Sequence, residues 1–197
     1  MLISSSEEYE TSSSSLDWVD RFVHGFADSL IVRVDQPFID DPFNLFGLSE
    51  HIKGYDKLIR VLRGEEYEPH SHELTVSLYY MIHQRYIVSK KGLEAMHSII
   101  SSGVFGKCKR VFCNGFPFIP IGLNEKPNRS TAKLFCDQCK QIYEPTNELG
   151  KIDGCAFGPT FPHLFILMYR NLFPKRRENI EYNPRIFGFR VASAKKE

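Results

Sequence analysis

Long apolar runs are missing from this chain: nowhere do its hydrophobic residues approach the ~20 consecutive positions of a membrane-spanning helix, so no membrane partner is expected. An excess of one charge is missing too. With 25 Lys and Arg against 24 Asp and Glu the formal net charge is +1, which leaves little field for whole-protein steering. The start, MLISSSEEYE, has neither a basic leader nor an apolar core, so no secretory signal is expected and the chain reads as soluble and intracellular. There is no G-x-x-x-x-G-K-[ST] phosphate loop, no H-E-x-x-H pair and no G-x-S-x-G elbow. Those absences remove the commonest nucleotide-binding, metalloprotease and hydrolase chemistries.

A hydrophobic content of 42% over 197 residues supports one compact domain or two small ones. Residues 1–15 are mostly Ser and Glu, with little to bury, and read as a disordered tail. From 16 to 103 the periodicity is helical. Leu16, Trp18, Val19, Phe22, Val23 and Phe26 share one face of a helix begun by a Ser cap, and Ile52, Tyr55, Leu58, Ile59 and Leu62 form another that Gly64 ends. A third starts after Ser71 with Leu74, Leu78, Ile82 and Tyr86. A fourth starts after Ser89 with Leu93, Met96, Ile99 and Ile100, and Gly103 closes this half.

The pattern then changes to short β-favouring runs, Arg110-Val111-Phe112, Phe118-Ile119-Pro120-Ile121 and Lys133-Leu134-Phe135, broken by Gly, Pro and Asn. Phe161 to Tyr169 is apolar nearly all round, with Pro162 suited to a first turn, and reads as a short buried helix stopped by Pro174. The expected fold class is α+β: an all-helical N-terminal domain (16–103), a small four-cysteine zinc-ribbon β domain with its following helix (104–166), and an extended C-terminal segment and tail (167–197).

Cysteine supplies the strongest local signal. Cys108 and Cys113 are separated by four residues, Cys136 and Cys139 by two, and 22 residues lie between the pairs. Two tight pairs at this separation match a tetrahedral thiolate set for one zinc per chain, structural because four protein ligands leave no open position. Two disulfides are the competing reading, disfavoured in a reducing compartment. Cys155 is left over and reads as a buried, inert thiol. His70-x-His72 lies beside Glu65, Glu66, Glu68 and Glu73 and reads as part of a solvated loop; His163 reads as a hydrogen-bonded core residue rather than a base.

A zinc ribbon serves nucleic acid or a protein partner. Lys107, Lys109, Arg110 and Lys133 favour the first, whereas the loop Phe116-Pro117-Phe118-Ile119-Pro120-Ile121 is too apolar to track phosphates and favours a partner, which could be a second copy.

The segments SSSEE, DPFNLFGL, RYIVSKKGL, CKRVFCNGFPFIPIG with KLFCDQC, DGCAFGPTFPHLF and PRIFGFRV, in this order from about Ser4 to Val191, resemble the regulatory beta subunit of casein kinase II. Lys109 and Asp137 stand where that family usually has Pro after a ligand cysteine, and Ala132 where it usually has Val, so the chain resembles a divergent member with all four ligands intact.

The resemblance implies a non-catalytic subunit that forms a homodimer through its zinc ribbon. The dimer would dock two catalytic subunits, stabilise them and alter their choice among protein substrates, in the nucleus and cytoplasm. Nucleic acid is then an unlikely partner. The family's docking core falls on Phe187 and Phe189, within Arg185, Ile186 and Gly188, with Phe187 where Tyr is usual. Ile186 is expected to face its own protein and the two rings to face another. Ser4, Ser5 and Ser6 correspond to phosphorylated serines, and Glu lies three residues after Ser4 and Ser5. The family's acidic, polyamine-binding loop corresponds to Gly64–Glu68, which is short of charge and diluted by Arg60 and Arg63, so polyamine stimulation is not expected.

Overall fold

The structure, a computed structural model, describes residues 17–26, 30–67, 69–173 and 184–191. The serines at 4–6 and Glu68 of the acidic connection lie outside these residues.

Helix α1 (Trp18–Phe26) is capped by Asp17 rather than by a serine: the Asp20 N–H donates to Asp17 Oδ1 at 2.7 Å. Trp18 and Phe22 stack at 5.1 Å, and each ring is T-shaped to that of Tyr79. After α1, the segment from Leu30 to Val34 is buried yet belongs to no sheet. Its backbone polar groups must find other partners. They find side chains of a later helix, from His72 to Tyr86: the Val34 N–H donates to the Tyr79 hydroxyl (3.2 Å), which donates to the Val32 carbonyl (3.0 Å), and the Val32 N–H donates to His83 Nε2 (3.1 Å).

Helix α2 (Gln36–Asp40) and two 3-10 turns (Pro42–Leu45 and Leu48–Glu50) lead to α3 (Tyr55–Leu62), so Ile52 is buried in the approach to that helix rather than within it. Helix α4 (His72–Tyr86) opens at Ser71, whose Oγ accepts the Leu74 N–H at 3.4 Å. It is the central helix, buried on most sides from Thr75 to Tyr86, although Leu74 itself is exposed. His70 and His72 are both exposed, as a solvated pair requires, but His72 stands at the start of this helix rather than in the loop, its ring 5.9 Å from that of Trp18. Helix α5 (Lys90–Ser102) starts at Ser89, whose Oγ accepts the Gly92 N–H at 3.2 Å. It turns so sharply off α4 that a Cβ on Gly92 would lie 2.0 Å from the Tyr86 carbonyl oxygen.

The ribbon is an antiparallel sheet in the order β1 (Ile119–Ile121), β2 (Lys133–Cys136), β3 (Gln141–Tyr143). Pro120 is tolerated because β1 is an edge strand. Val111–Cys113 is a 3-10 turn, not the strand its composition favours, because the chain must bend between two ligands. Where β1 ends, Gly122 crosses Gly154 so closely that a Cβ on it would lie 1.8 Å from the Gly154 carbonyl oxygen. The turn Gly154–Ala156 packs in turn on α4, with His83 Nδ1–H donating to the Ala156 carbonyl at 2.6 Å. Buried residues consequently form one continuous core from Trp18 to Phe173.

Helix α6 (Phe161–Met168) buries Phe161, Pro162 and Phe165 but exposes Leu164, Leu167 and Met168, so it is buried on one face only. His163, expected in the core, is exposed, with its ring 5.8 Å from that of Phe135. The C-terminal residues described form a hairpin of β4 (Arg185–Ile186) and β5 (Phe189–Arg190), closed by the Val191 N–H donating to the Pro184 carbonyl at 2.9 Å.

Candidate metal centre and C-terminal hairpin

Two tight bends bring the four cysteines together. In the first, the Cys108 N–H donates to the Phe116 carbonyl (2.8 Å) and the Cys113 N–H to the Arg110 carbonyl (2.9 Å), while Asn114 and Gly115 turn the chain back at φ of 50° and 72°. In the second, Cys136 ends β2, and the Lys140 N–H donates to its carbonyl at 2.8 Å. Lys140 has a left-handed φ of 56°, and its ammonium pairs with Asp137 across the bend.

The four Sγ atoms lie within 4.8 Å of one another, and among the described residues this is the only cluster of its kind. Cys108 to Cys139 is 4.0 Å and Cys113 to Cys136 is 3.9 Å. A disulfide needs ~2.05 Å between sulfurs, so the competing reading fails; a tetrahedron of thiolates ~2.3 Å from one ion requires roughly 3.8 Å. The geometry fits a single tetrahedral metal. His70 and His72 take no part in any such cluster. Cys155 is buried and burial pushes its thiol pKa up, as an inert thiol requires.

Burial also pushes Cys113 up to about 11 and raises Cys136, which leaves both protonated at neutral pH without an ion. At Cys139 burial acts in the same direction, but hydrogen bonds from the Tyr143 hydroxyl, the Gln141 backbone and the neighbouring thiols outweigh it and lower its pKa to about 7. The Tyr143 hydroxyl, 3.2 Å from Cys139 Sγ and 3.6 Å from Cys108 Sγ, was not legible as part of the site. Its position two residues into β3 after the last ligand was the available signal.

The ribbon's apolar loop does not face a partner. Phe116, Phe118, Ile119, Pro120 and Ile121 are all buried in this chain, where they form the ribbon's own core. The ribbon's exposed apolar groups are Val111 at 80%, its neighbour Phe112, Leu123 at 51% and Ile142 at 47%. Nor are all four cations of the nucleic-acid reading available. Lys133 pairs with Glu144 at 2.7 Å.

In the hairpin, Phe187 and Gly188 have φ of 50° and 88°, the two positive values that a type I′ turn needs. Glycine adopts this at no cost, whereas a phenylalanine there costs about 1 kcal/mol or more. The rings are 96% exposed at Phe187 and 79% at Phe189. Ile186 does not face inward as expected: it is 60% exposed and directly opposite Phe189 in the ladder, so the two share a face.

The family model for the casein kinase II regulatory subunit matches residues 17–190. A casein kinase II subunit beta of Schizosaccharomyces pombe is 39% identical over 197 residues, covering 94% of this chain and 84% of that one. The putative casein kinase II subunit beta-4 of Arabidopsis thaliana is 38% identical over 200 residues, covering 96% of this chain and 69% of the relative. The casein kinase II subunit beta of Dictyostelium discoideum is 33% identical over 203 residues, covering 98% and 75%.

Proposed function

The chain belongs to the casein kinase II regulatory subunit family, a non-catalytic partner of the kinase, and from that premise we propose that it works as a zinc-dependent homodimer that presents its C-terminal hairpin to two catalytic subunits. The observation that carries this reading is the hairpin itself. A type I′ turn at the cost of a strained phenylalanine holds two aromatic rings and Ile186 in water, and exposed apolar groups held in this way gain free energy only when another surface covers them. Arg185 and Arg190 are directly opposite each other, and their mutual repulsion would be relieved by acidic groups on that surface.

Zinc is the ion best suited to four thiolates, and its binding energy would be folding energy for a sheet of three short strands. Exposure of Val111, Phe112 and Ile142 on the ribbon supports the ribbon as the dimer contact. Stabilisation and redirection of the kinase, phosphorylation of Ser4, Ser5 and Ser6, and residence in nucleus and cytoplasm follow from the same reading.

Changing both Phe187 and Phe189 to Ala is the test. Each anchor is worth about 2 kcal/mol or more, roughly 30-fold in affinity, although such values do not add. Co-purification with the catalytic subunit should be lost while the mass of the isolated dimer is unchanged. Undiminished kinase binding would reject the hairpin as the docking element.

A further inference from the structure

Four thiolates around a divalent ion carry a net charge of −2, and placing that charge where three of the four sulfurs are buried requires hydrogen-bond donors aimed at sulfur. The donors are unevenly shared. Cys136 receives the backbone N–H groups of Gln138 and Cys139, as the bend of β2 into β3 provides. Cys139 receives the Gln141 N–H, and it is the one ligand that is only half-buried. The Tyr143 hydroxyl reaches Cys139 and Cys108 together, from a ring held 5.2 Å from that of Phe118. Tyr143 also lines a cavity of about 490 Å³ with Lys107, Lys109, Arg110 and Phe118, so it stands between an opening and the pair of sulfurs it touches.

We infer that Tyr143 is a positioning residue of the metal centre, whose hydroxyl, 3.2 Å from Cys139 and 3.6 Å from Cys108, disperses thiolate charge and closes the Cys108–Cys139 edge against solvent and competing chelators. The inference rests on a metal in the four-cysteine site and is independent of what the hairpin binds. Tyr143 is in register opposite Leu134 and reaches the sulfurs only because β3 follows Cys139 directly, so the same local chain supplies a ligand and its donor.

The test is Tyr143→Phe in the full chain, which keeps the ring against Phe118 and removes one oxygen. Groups in this position behind metal ligands typically govern 10–100-fold in affinity. Zinc affinity, read by competition with a chromophoric chelator, should fall by that factor, and release on adding chelator should quicken. The chain loaded with cobalt(II) alone gives a second readout. Loss of a donor makes the thiolates more electron-rich, so the sulfur-to-cobalt charge-transfer bands should move to longer wavelength, which a loss of packing elsewhere would not produce. Zinc affinity within twofold of the unaltered chain, or weakened affinity with unmoved bands, would overturn the assignment. If the unaltered chain takes up no zinc, the metal reading itself fails, a separate result.

Discussion

Protonation of His83 tests how the two halves of the molecule are joined. Its ring is fully buried, Nε2 accepts the Val32 N–H and Nδ1–H donates to the Ala156 carbonyl, so one imidazole links the segment before α2, the central helix α4 and the turn next to the ribbon. A second proton would have to sit on Nε2, facing the Val32 N–H, in a fully buried site. Burial accordingly lowers the pKa from 6.5 to about 4, even though the bond to the Ala156 carbonyl works the other way.

Above pH 6.5 the folded and unfolded states are both neutral at this position, and the neutral contacts contribute in full. As pH falls from 6.5 towards 4 the unfolded chain takes up a proton that the folded chain refuses, so stability is lost across that window and the loss levels off below it. A shift of this size corresponds to roughly 3 kcal/mol, about 1.4 per pH unit. The assay is urea unfolding of the metal-loaded protein at fixed concentration between pH 7.5 and 4.5, run beside His83→Gln, whose amide can accept from Val32 and donate to Ala156. Metal ligands also take up protons over this range, but they do so in both chains, and the difference between the two curves isolates the histidine. Between pH 6.5 and 4.5 the unaltered chain should lose roughly 2 kcal/mol more than the variant. Parallel curves would show that His83 is not held neutral.

The crossing of Gly122 over Gly154 makes a sharper demand. Gly122→Ala puts a Cβ into the Gly154 carbonyl oxygen and should cost about 3 kcal/mol or more, seen as a large fall in thermal midpoint or as insoluble protein, while Gly47→Ala, with open space but a φ of 76°, should cost nearer about 1 kcal/mol. Strong chelation at neutral pH should abolish the ribbon sheet and, with it, the proposed dimer, measured together by circular dichroism and mass. A dimer that persists without metal would remove the ribbon from that contact.

Much of this molecule was legible from spacing. The caps at Ser71 and Ser89, the stop at Gly103 and the helices between them depend on side chains within four residues of the backbone groups they serve. The cysteine set was legible because two tight bends impose a spacing that almost no other chemistry needs. Where the reading failed, the deciding contact was distant. The apolar loop from Phe116 to Ile121 looks like an interface until β2 and α6 cover it, and α6 looks wholly buried until the fold leaves Leu164, Leu167 and Met168 in water. The resemblance places Ile186 inward, but a two-residue turn sets it opposite Phe189.

The sequence by itself determined the family, the four thiolates and the pair of rings near the C-terminus, because each is written in residue types at short separations. Tertiary structure alone decided which apolar groups remain in water, which cations are already paired, and that Tyr143 stands behind two of the metal ligands. Those outcomes depend on register and on close approach between segments far apart in the chain. A residue's chemistry is local, but its exposure and its partners are set by whatever the rest of the fold brings against it.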